Sequence, residues 1–285
     1  MNRTFSSLAA SLLFFTAVTA SATDQTVQAA LNKQYAGKTM VLRHPIAEDS
    51  QVYDATGKLL KGGDEGAWTL YGRFMATNVR LDKRSLVVEG ERLLYLRSTD
   101  ALAPAESHEK VEVEIKLARR PASAQQATAL LGRVFCLTDE DVVKAAPPFW
   151  QNYLSVQLLH ITDDAKPPVP SRANTLVVVE LDDEGGVVKG SKTSVEIRTG
   201  VVRPRPLFTP EPYYTEAARN QRYQGAVVMS LVVDSAGNVR SPIILRPLGM
   251  GLDENAVKKV LTWRFDPGKV DGKPVNVLMN IESEI

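Results

Sequence analysis

Alternating apolar and polar residues dominate the first half of the chain. Segments such as TMVLRH, WTLYGRF, SLVVEGERLLYLR and KVEVEIKLA, which lie between Lys38 and Arg120, repeat with a period of two residues. This period predicts β-strands with one buried face, separated by glycines and turn dipeptides. The pattern therefore predicts a mainly β N-terminal domain with some helix, a small barrel or a sandwich, over residues 23–160.

A helical period replaces this alternation between residues 122 and 155. AQQATALLGRVF and DEDVVKAAPPFWQNYL place apolar residues three or four positions apart, which predicts two helical pieces. Two proline-rich stretches follow, AKPPVPSRAN at 165–174 and VVRPRPLFTPEP at 201–212. The intervening TLVVVELDDEGGVVKG predicts a hairpin, so we expect residues 161–205 to form a proline-containing linker and hairpin.

The last eighty residues predict the order helix, strand, strand, helix, strand. Thr215 is expected to cap a helix over 215–223, and Asp253 is expected to cap a second helix over 254–263. The second helix would have an apolar and a charged face, with Leu252, Ala256, Val257, Val260 and Leu261 opposite Glu254, Lys258 and Lys259. We therefore expect an α+β domain over residues 206–285, with a three-stranded antiparallel sheet and the helices on one face.

The first 22 residues have the pattern of a secretory signal peptide. Arg3 precedes an apolar stretch from Leu8 to Val18, and Ala20-Ser21-Ala22 gives a small-x-small cleavage pattern. The alternative is an uncleaved inner-membrane anchor, although the apolar stretch is shorter than the roughly 20 residues that span a bilayer. The sequence predicts an exported protein.

Net charge and the numbers of cysteine and histidine residues exclude several classes of function. The net charge of +1 and the absence of a long run of one sign argue against a nucleic-acid binder. Cys136 is the only cysteine, so no intramolecular disulfide can form, and its apolar neighbours predict a buried thiol. The histidines His44, His108 and His160 are too far apart for metal-ligand spacing. We expect no enzyme activity, no catalytic residue, no metal and no cofactor.

The last eighty residues resemble the C-terminal domain of the TonB family of energy transducers. The matching positions are Pro212, Tyr214, Ala218, Arg219, Gly225, Asp234, Gly237, Gly251, Leu252, Asp253, Glu254, Ala256, Trp263, Arg264, Phe265, Pro267, Gly272, Lys273, Pro274 and Val275. These residues are expected to define the fold, with Trp263 and Phe265 as core anchors. Thr215 departs from the family, which usually has proline there. The family's membrane anchor and long proline-rich spacer are missing or degraded, and a β-rich segment lies where that spacer would be.

The resemblance implies a function at a strand edge. The family binds a short extended peptide, the TonB box of outer-membrane transporters, by adding a strand to its sheet, in energy-dependent transport across the outer membrane. By resemblance the receiving edge is the final strand, at Val275, Asn276, Val277, Leu278, Met279, Asn280 and Ile281. The alternative is that another chain, or the first part of this chain, already covers this edge.

The resemblance also implies partners and a location. The implied partners are the peptide of an outer-membrane TonB-dependent receptor, an inner-membrane proton-driven motor complex and a second copy of the chain in a homodimer. The implied location is the periplasm. An alternative stays open, in which the chain is a non-transducing scaffold of the cell envelope that uses the same edge for another partner or for self-association.

Overall fold

The computed structural model of the chain describes residues 15–98, 101–158 and 175–285. The helices are α1 (Phe15–Tyr35), α2 (Trp68–Tyr71), α3 (Ala124–Leu131), α4 (Asp139–Ala145), α5 (Pro148–Tyr153), α6 (Glu216–Asn220) and α7 (Leu252–Val260), and a π-helical turn, Leu154–Leu158, follows α5. The predicted signal peptide lies outside the described residues as far as residue 14, and its remainder begins α1. Among the described residues, no helix is both long and apolar enough to cross a membrane.

Strands of the first half form one mixed sheet. Across the sheet they are β3 (Leu59–Lys61), β2 (Ser50–Tyr53), β6 (Ala101–Lys116), β5 (Ser85–Ser98), β4 (Arg73–Leu81), β1 (Thr39–Leu42) and β7 (Phe135–Cys136). Neighbouring strands are antiparallel except β2 and β6, which are parallel. No pairing between described residues joins β3 to β7. The sheet is therefore open, and the expected barrel or sandwich is wrong for this part of the chain.

Helix α1 covers one end of this sheet. Apolar residues four positions apart turn one helix face into the core, namely Val27, Leu31 and Tyr35. Beyond the short ladder between β1 and β4, side chains of α1 take the place of a neighbouring strand. The Asn32 side chain accepts from the N–H of Val79 at 2.8 Å, and the Gln28 side chain accepts from the N–H of Leu81 at 2.7 Å. These bonds satisfy backbone donors that would otherwise stay unpaired.

The second sheet has five antiparallel strands. Across the sheet they are β13 (Val239–Arg246), β12 (Ala226–Val233), β17 (Val277–Glu284), β8 (Thr175–Val178) and β9 (Thr193–Glu196). The predicted three-stranded sheet is therefore too small, because a hairpin from the predicted linker adds β8 and β9. This hairpin turns where it was expected, with the N–H of Asp182 donating to the carbonyl of Gly186 at 2.9 Å. Residues 161–174 of that predicted linker lie outside the described residues.

Short strands complete the second half. One small sheet contains β10 (Val201–Val202), β15 (Lys269–Val270) and β16 (Lys273–Pro274), and another pairs β11 (Arg205–Phe208) with β14 (Arg264–Asp266). The predicted order of α6, β12, β13, α7 and β17 is the order of the structure. The α+β character of this half is thus confirmed.

The two helix starts of this half differ from each other. Thr215 caps α6 as expected, because its hydroxyl accepts the N–H three residues later at 3.1 Å. The start of α7 is Gly251, with φ of 73°, and Asp253 lies inside the first turn. The Asp253 carboxylate instead accepts the N–H groups of Leu248 and Gly249, at 2.7 and 2.6 Å. The predicted cap is therefore wrong, and Asp253 holds the loop that precedes the helix.

One hydrophobic cluster joins the two halves. Trp68 lies at its centre, with ring centroids 5.5 Å from Tyr95 and 5.7 Å from Trp150. The same cluster contains buried residues of β12 and α7, such as Met229 and Leu252. A separate cluster lies between the first sheet and helices α1 and α3. The halves therefore pack against each other, while the domain limits expected at residues 22, 160 and 205 stay predictions.

Gly249 lies where the backbones of the two halves meet. The N–H of Met250 donates to the carbonyl of Tyr95 at 2.7 Å, and the N–H of Arg97 donates to the carbonyl of Leu248 at 2.9 Å. A Cβ on Gly249 would lie 2.2 Å from the Tyr95 carbonyl oxygen, and its φ is 94°. Both the close approach and the positive φ require glycine at this position.

Substitution of Gly249 tests this junction. We expect Gly249→Ala to lower the free energy of unfolding by about 2–4 kcal/mol, because it combines a left-handed backbone with a backbone clash. Gly272→Ala is the matched control, since Gly272 also has a positive φ of 79° but nothing lies within 4 Å of its added Cβ. Urea denaturation should show the smaller loss for Gly272→Ala. Equal losses would contradict the close packing at Gly249.

Candidate functional site

Strand β17 is fully paired on one side and partly paired on the other. It pairs with β12 along its whole length. On the other side, β8 pairs only with Val277 and Leu278, and the Asn276 carbonyl accepts the N–H of Val179 at 3.1 Å. Within the described residues, no strand pairs with the outer side of residues 279–284, which we call the open edge.

The open edge overlaps only part of the expected peptide-binding edge. Val275 donates its N–H to the carbonyl of Gly268 at 2.9 Å, and residues 276–278 are held by the segment containing β8. The expectation that residues 275–278 are free is therefore wrong, because neighbouring parts of the same chain already pair with them. Met279, Asn280 and Ile281 do belong to the open edge, which then continues to Glu284.

Every second residue of the open edge points its backbone N–H and C=O groups away from β12. Gly225 and Ile285 exchange two hydrogen bonds, of 3.0 and 2.8 Å, so Ile285 faces β12. The register between β12 and β17 has no break, and backbone direction alternates along a strand. Asn280, Glu282 and Glu284 therefore turn their N–H and C=O groups away from β12. These groups can accept one further extended chain.

A groove of about 510 Å³ runs beside the open edge. Its apolar lining combines aromatic, aliphatic and proline side chains, namely Trp263, Phe265, Met279, Ile281, Pro204, Pro206 and Pro212. The volume lies within the roughly 300–1,000 Å³ of ligand pockets, and the apolar lining is also typical of them. Phe265 is buried in the core, as expected, whereas half-buried Trp263 contributes to the groove.

Residues 204–212, which we call the proline arm, form the wall opposite β17. Pro204, Pro206, Pro210 and Pro212 occupy even positions of the arm and have no N–H to donate. The Trp263 indole holds the arm in place, because its Nε1 donates to the Pro210 carbonyl at 3.0 Å. The pairing of β11, which is part of the arm, with β14 also holds it. Its prolines thus help to line the groove without adding backbone donors.

The groove continues past the end of β17 into a second cavity of about 590 Å³. Glu211 of the proline arm and Glu284 of the open edge line both spaces. The second cavity is otherwise lined by Gln224, Gly225, Ala226 and Ile285. The polar groups at this end are therefore carboxylates and an amide, without a cationic side chain.

Two adjacent carboxyl groups are buried where α7 meets the first half. Glu254 accepts the indole N–H of Trp150 at 3.1 Å and the backbone N–H of Thr69 at 3.3 Å. The Thr69 hydroxyl also donates to Glu254 at 3.2 Å and accepts the N–H of Gly251 at 2.8 Å. Asp253 is fully buried beside it. The first half therefore holds the N-terminal turn of α7 through a buried polar network.

Burial changes the proton affinity of this pair. Burial raises the pKa of Asp253 to about 8, and repulsion from Glu254 adds to the rise. Burial likewise raises the pKa of Glu254, although the hydrogen bonds from Thr69 and Trp150 act in the opposite direction. The folded protein therefore binds more protons at this pair than the unfolded chain does at neutral pH.

Other candidate residues lie apart from the groove. His44 pairs with Glu65 at 2.6 Å near the surface, and His160 lies outside the described residues. Among the described residues, no group of three or more His, Cys, Asp or Glu side chains could hold a metal ion. Cys136 is buried as expected, and burial raises its pKa to about 11, so its thiol stays protonated and unreactive at neutral pH.

Two residues of the helix predicted over 254–263 lie on the opposite side from the one expected. Glu254 was expected in solvent and is buried, whereas Leu261 was expected in the core and is 45% exposed. The burial of Glu254 could not be predicted from the helix itself, because the hydrogen-bond donors to its carboxylate come from Thr69 and Trp150, far away in sequence. The prolines at 204, 206, 210 and 212 did carry a signal, since prolines at these even positions interrupt strand pairing on one side.

The geometry first defines a class of domain. It is an α+β module of helix–strand–strand–helix–strand order, whose last strand has an open edge beside an apolar groove. Residues 210–284 match the model of the family described as Gram-negative bacterial TonB protein C-terminal. This segment is a TonB family C-terminal domain.

Two relatives give the extent of the similarity. A stretch of 93 residues is 33% identical to Protein TonB of Salmonella typhimurium strain LT2, covering 32% of this chain and 37% of that protein. The solution NMR structure of the Pseudomonas aeruginosa TonB CTD aligns at 22% identity with a TM-score of 0.25, over 29% of this chain and 84% of that one. The chain thus matches little more than a third of the curated relative's length.

The buried carboxyl pair predicts a pH dependence of stability. Because the folded-state pKa values are raised, the stabilisation is complete below the ordinary carboxyl pKa of 3.8 and is lost as pH rises towards about 8. Glu254→Gln should remove much of this loss, since an uncharged amide can keep the bonds to Thr69 and Trp150. The unfolding free energy of the wild type, relative to Glu254→Gln, should fall with pH by up to about 1.4 kcal/mol per unit.

Urea denaturation of both proteins at several pH values between 4 and 8 measures this difference. Taking the difference between the two proteins cancels the titration of groups that do not interact with Glu254. Parallel curves for the two proteins would contradict the raised pKa of Glu254.

Proposed function

We propose that this protein binds an extended peptide of outer-membrane transporters, the TonB box, by adding it as a strand to the open edge of β17. The observation that carries this proposal is the outer side of residues 279–284, which lies beside an apolar groove and pairs with no strand of the described part of the chain. Main-chain hydrogen bonds would hold the peptide along the edge, and the groove would receive its alternate side chains. The TonB family identity of residues 210–284 supports the same role.

The wider role would be energy-dependent transport across the outer membrane from a periplasmic location. Coupling to an inner-membrane motor complex belongs to the same proposal. The relative from Salmonella typhimurium is named Protein TonB, which supports a part in envelope transport. In the alternative, a non-transducing envelope scaffold, the open edge would receive a strand of another partner or of a second copy.

A proline substitution tests strand addition directly. The N–H of Glu282 points away from β12, so Glu282→Pro removes one donor of the open edge without breaking the ladder to β12. Glu282→Ala is the matched control, because both variants lose the ion pair between Glu282 and Arg246, which is 2.7 Å long. Binding of synthetic N-terminal peptides of outer-membrane receptors, measured by calorimetry, should weaken about tenfold or more with proline.

The alanine variant should bind nearly as well as the wild type. Equal affinity of the proline and alanine variants would exclude strand addition at this edge. Failure of all receptor peptides to bind the wild type, together with dimerisation in sedimentation experiments that Glu282→Pro abolishes, would favour the self-associating scaffold.

A further inference from the structure

We propose that the guest peptide carries a basic residue three positions from the nearer of two alternating apolar residues. This inference rests on the proposed strand addition and specifies the side chains of the guest. It follows from the order of side chains along the open edge and from the charges that line the two cavities.

The apolar part of the guest is set by β17. Met279 and Ile281 share one face of the strand and pack with Trp263 and Phe265. Residues directly opposite each other on neighbouring strands place their side chains on the same face. The two guest residues opposite Met279 and Ile281 would therefore enter the groove, and apolar side chains fit its lining.

The basic part of the guest is set by Glu284. Glu211 and Glu284 line both cavities and make no hydrogen bond or ion pair within the described residues. Glu282, by contrast, is neutralised by Arg246 at 2.7 Å. No Lys, Arg or His is among the residues that line either cavity. Side chains alternate along β17, so Glu284 lies on the opposite face from Met279 and Ile281. A guest residue opposite Glu284 would share that face and meet its carboxylate, which favours a cation and disfavours an anion.

The strand register fixes the spacing between the apolar residues and the basic residue of the guest. Residues 279, 281 and 284 of β17 are separated by two and three positions, so the guest residues opposite them have the same separation. An antiparallel guest would match Thr-Arg-Thr-Thr-Val-Thr-Val, and a parallel guest would match the reversed order. Both directions give the same pair of apolar residues and the same distance to the cation.

Binding of these two peptides and of their Gln and Glu counterparts tests the inference. The tryptophan fluorescence of the full chain is the readout, because Trp263 lines the groove whereas Trp68 and Trp150 are buried. In one of the two directions, the Arg peptide is expected to bind about five- to tenfold more tightly than its Glu counterpart at low salt. The Gln peptide should fall between them.

A charge reversal in the protein provides the second arm. Glu284→Lys should reduce the ratio of Arg-peptide to Glu-peptide affinity at least about fivefold, since attraction becomes repulsion. Glu140→Lys changes the net charge equally but lies on α4 in the first half, so it should leave the ratio unchanged. Circular dichroism of both variants checks that they are folded.

The outcomes separate this inference from the proposed function. Equal affinity of the Arg, Gln and Glu peptides, with binding that is still lost in Glu282→Pro, would overturn the charge preference and leave strand addition standing. An unchanged affinity ratio in Glu284→Lys would also overturn it. If neither these peptides nor receptor peptides bind at millimolar concentration, both the preference and the proposed function are wrong.

Discussion

Strand β17 lies in the middle of the second sheet, and its backbone groups need partners on both sides. Every buried N–H and C=O group needs a partner, so a central strand is normally paired on both sides. Here β12 pairs with one side completely, whereas the pairing with β8 covers only Val277 and Leu278. The proline arm lies across the groove, but its prolines lack the donors to continue the ladder. Within the described residues, the chain thus shelters the remaining edge without pairing with it.

Residues of the first half support the open edge indirectly, through contacts with α7 and the loop before it. Glu254 is fixed by Thr69 and Trp150, and the loop before α7 is hydrogen-bonded to β5. The strand that follows α7, β14, carries Phe265, which lines the groove. Among the described residues, the first half therefore contributes none to the groove lining. It fixes helix α7, which precedes the strand that carries Phe265. The buried acid pair makes this support weaker as the pH rises.

The sequence predicted local features better than their assembly. Turn glycines, the Thr215 cap and the order of helices and strands follow from local patterns, and the structure contains them. The partial cover by β8 and the burial of Glu254 could not be predicted, because each depends on a partner far away in sequence. Asp253 was misassigned for a related reason, since its N–H donors lie before the helix and not within it.

The partial cover of β17 limits what main-chain bonds alone can achieve. Three outward residues offer at most six hydrogen bonds, each worth about 0.5–1.5 kcal/mol net. Ordering six guest residues costs about 1–2 kcal/mol per residue, which offsets that gain. Burial of two apolar side chains in the groove would add about 1.5–3 kcal/mol each. A guest without suitable side chains would therefore bind weakly, and the groove lining decides which peptides the open edge retains.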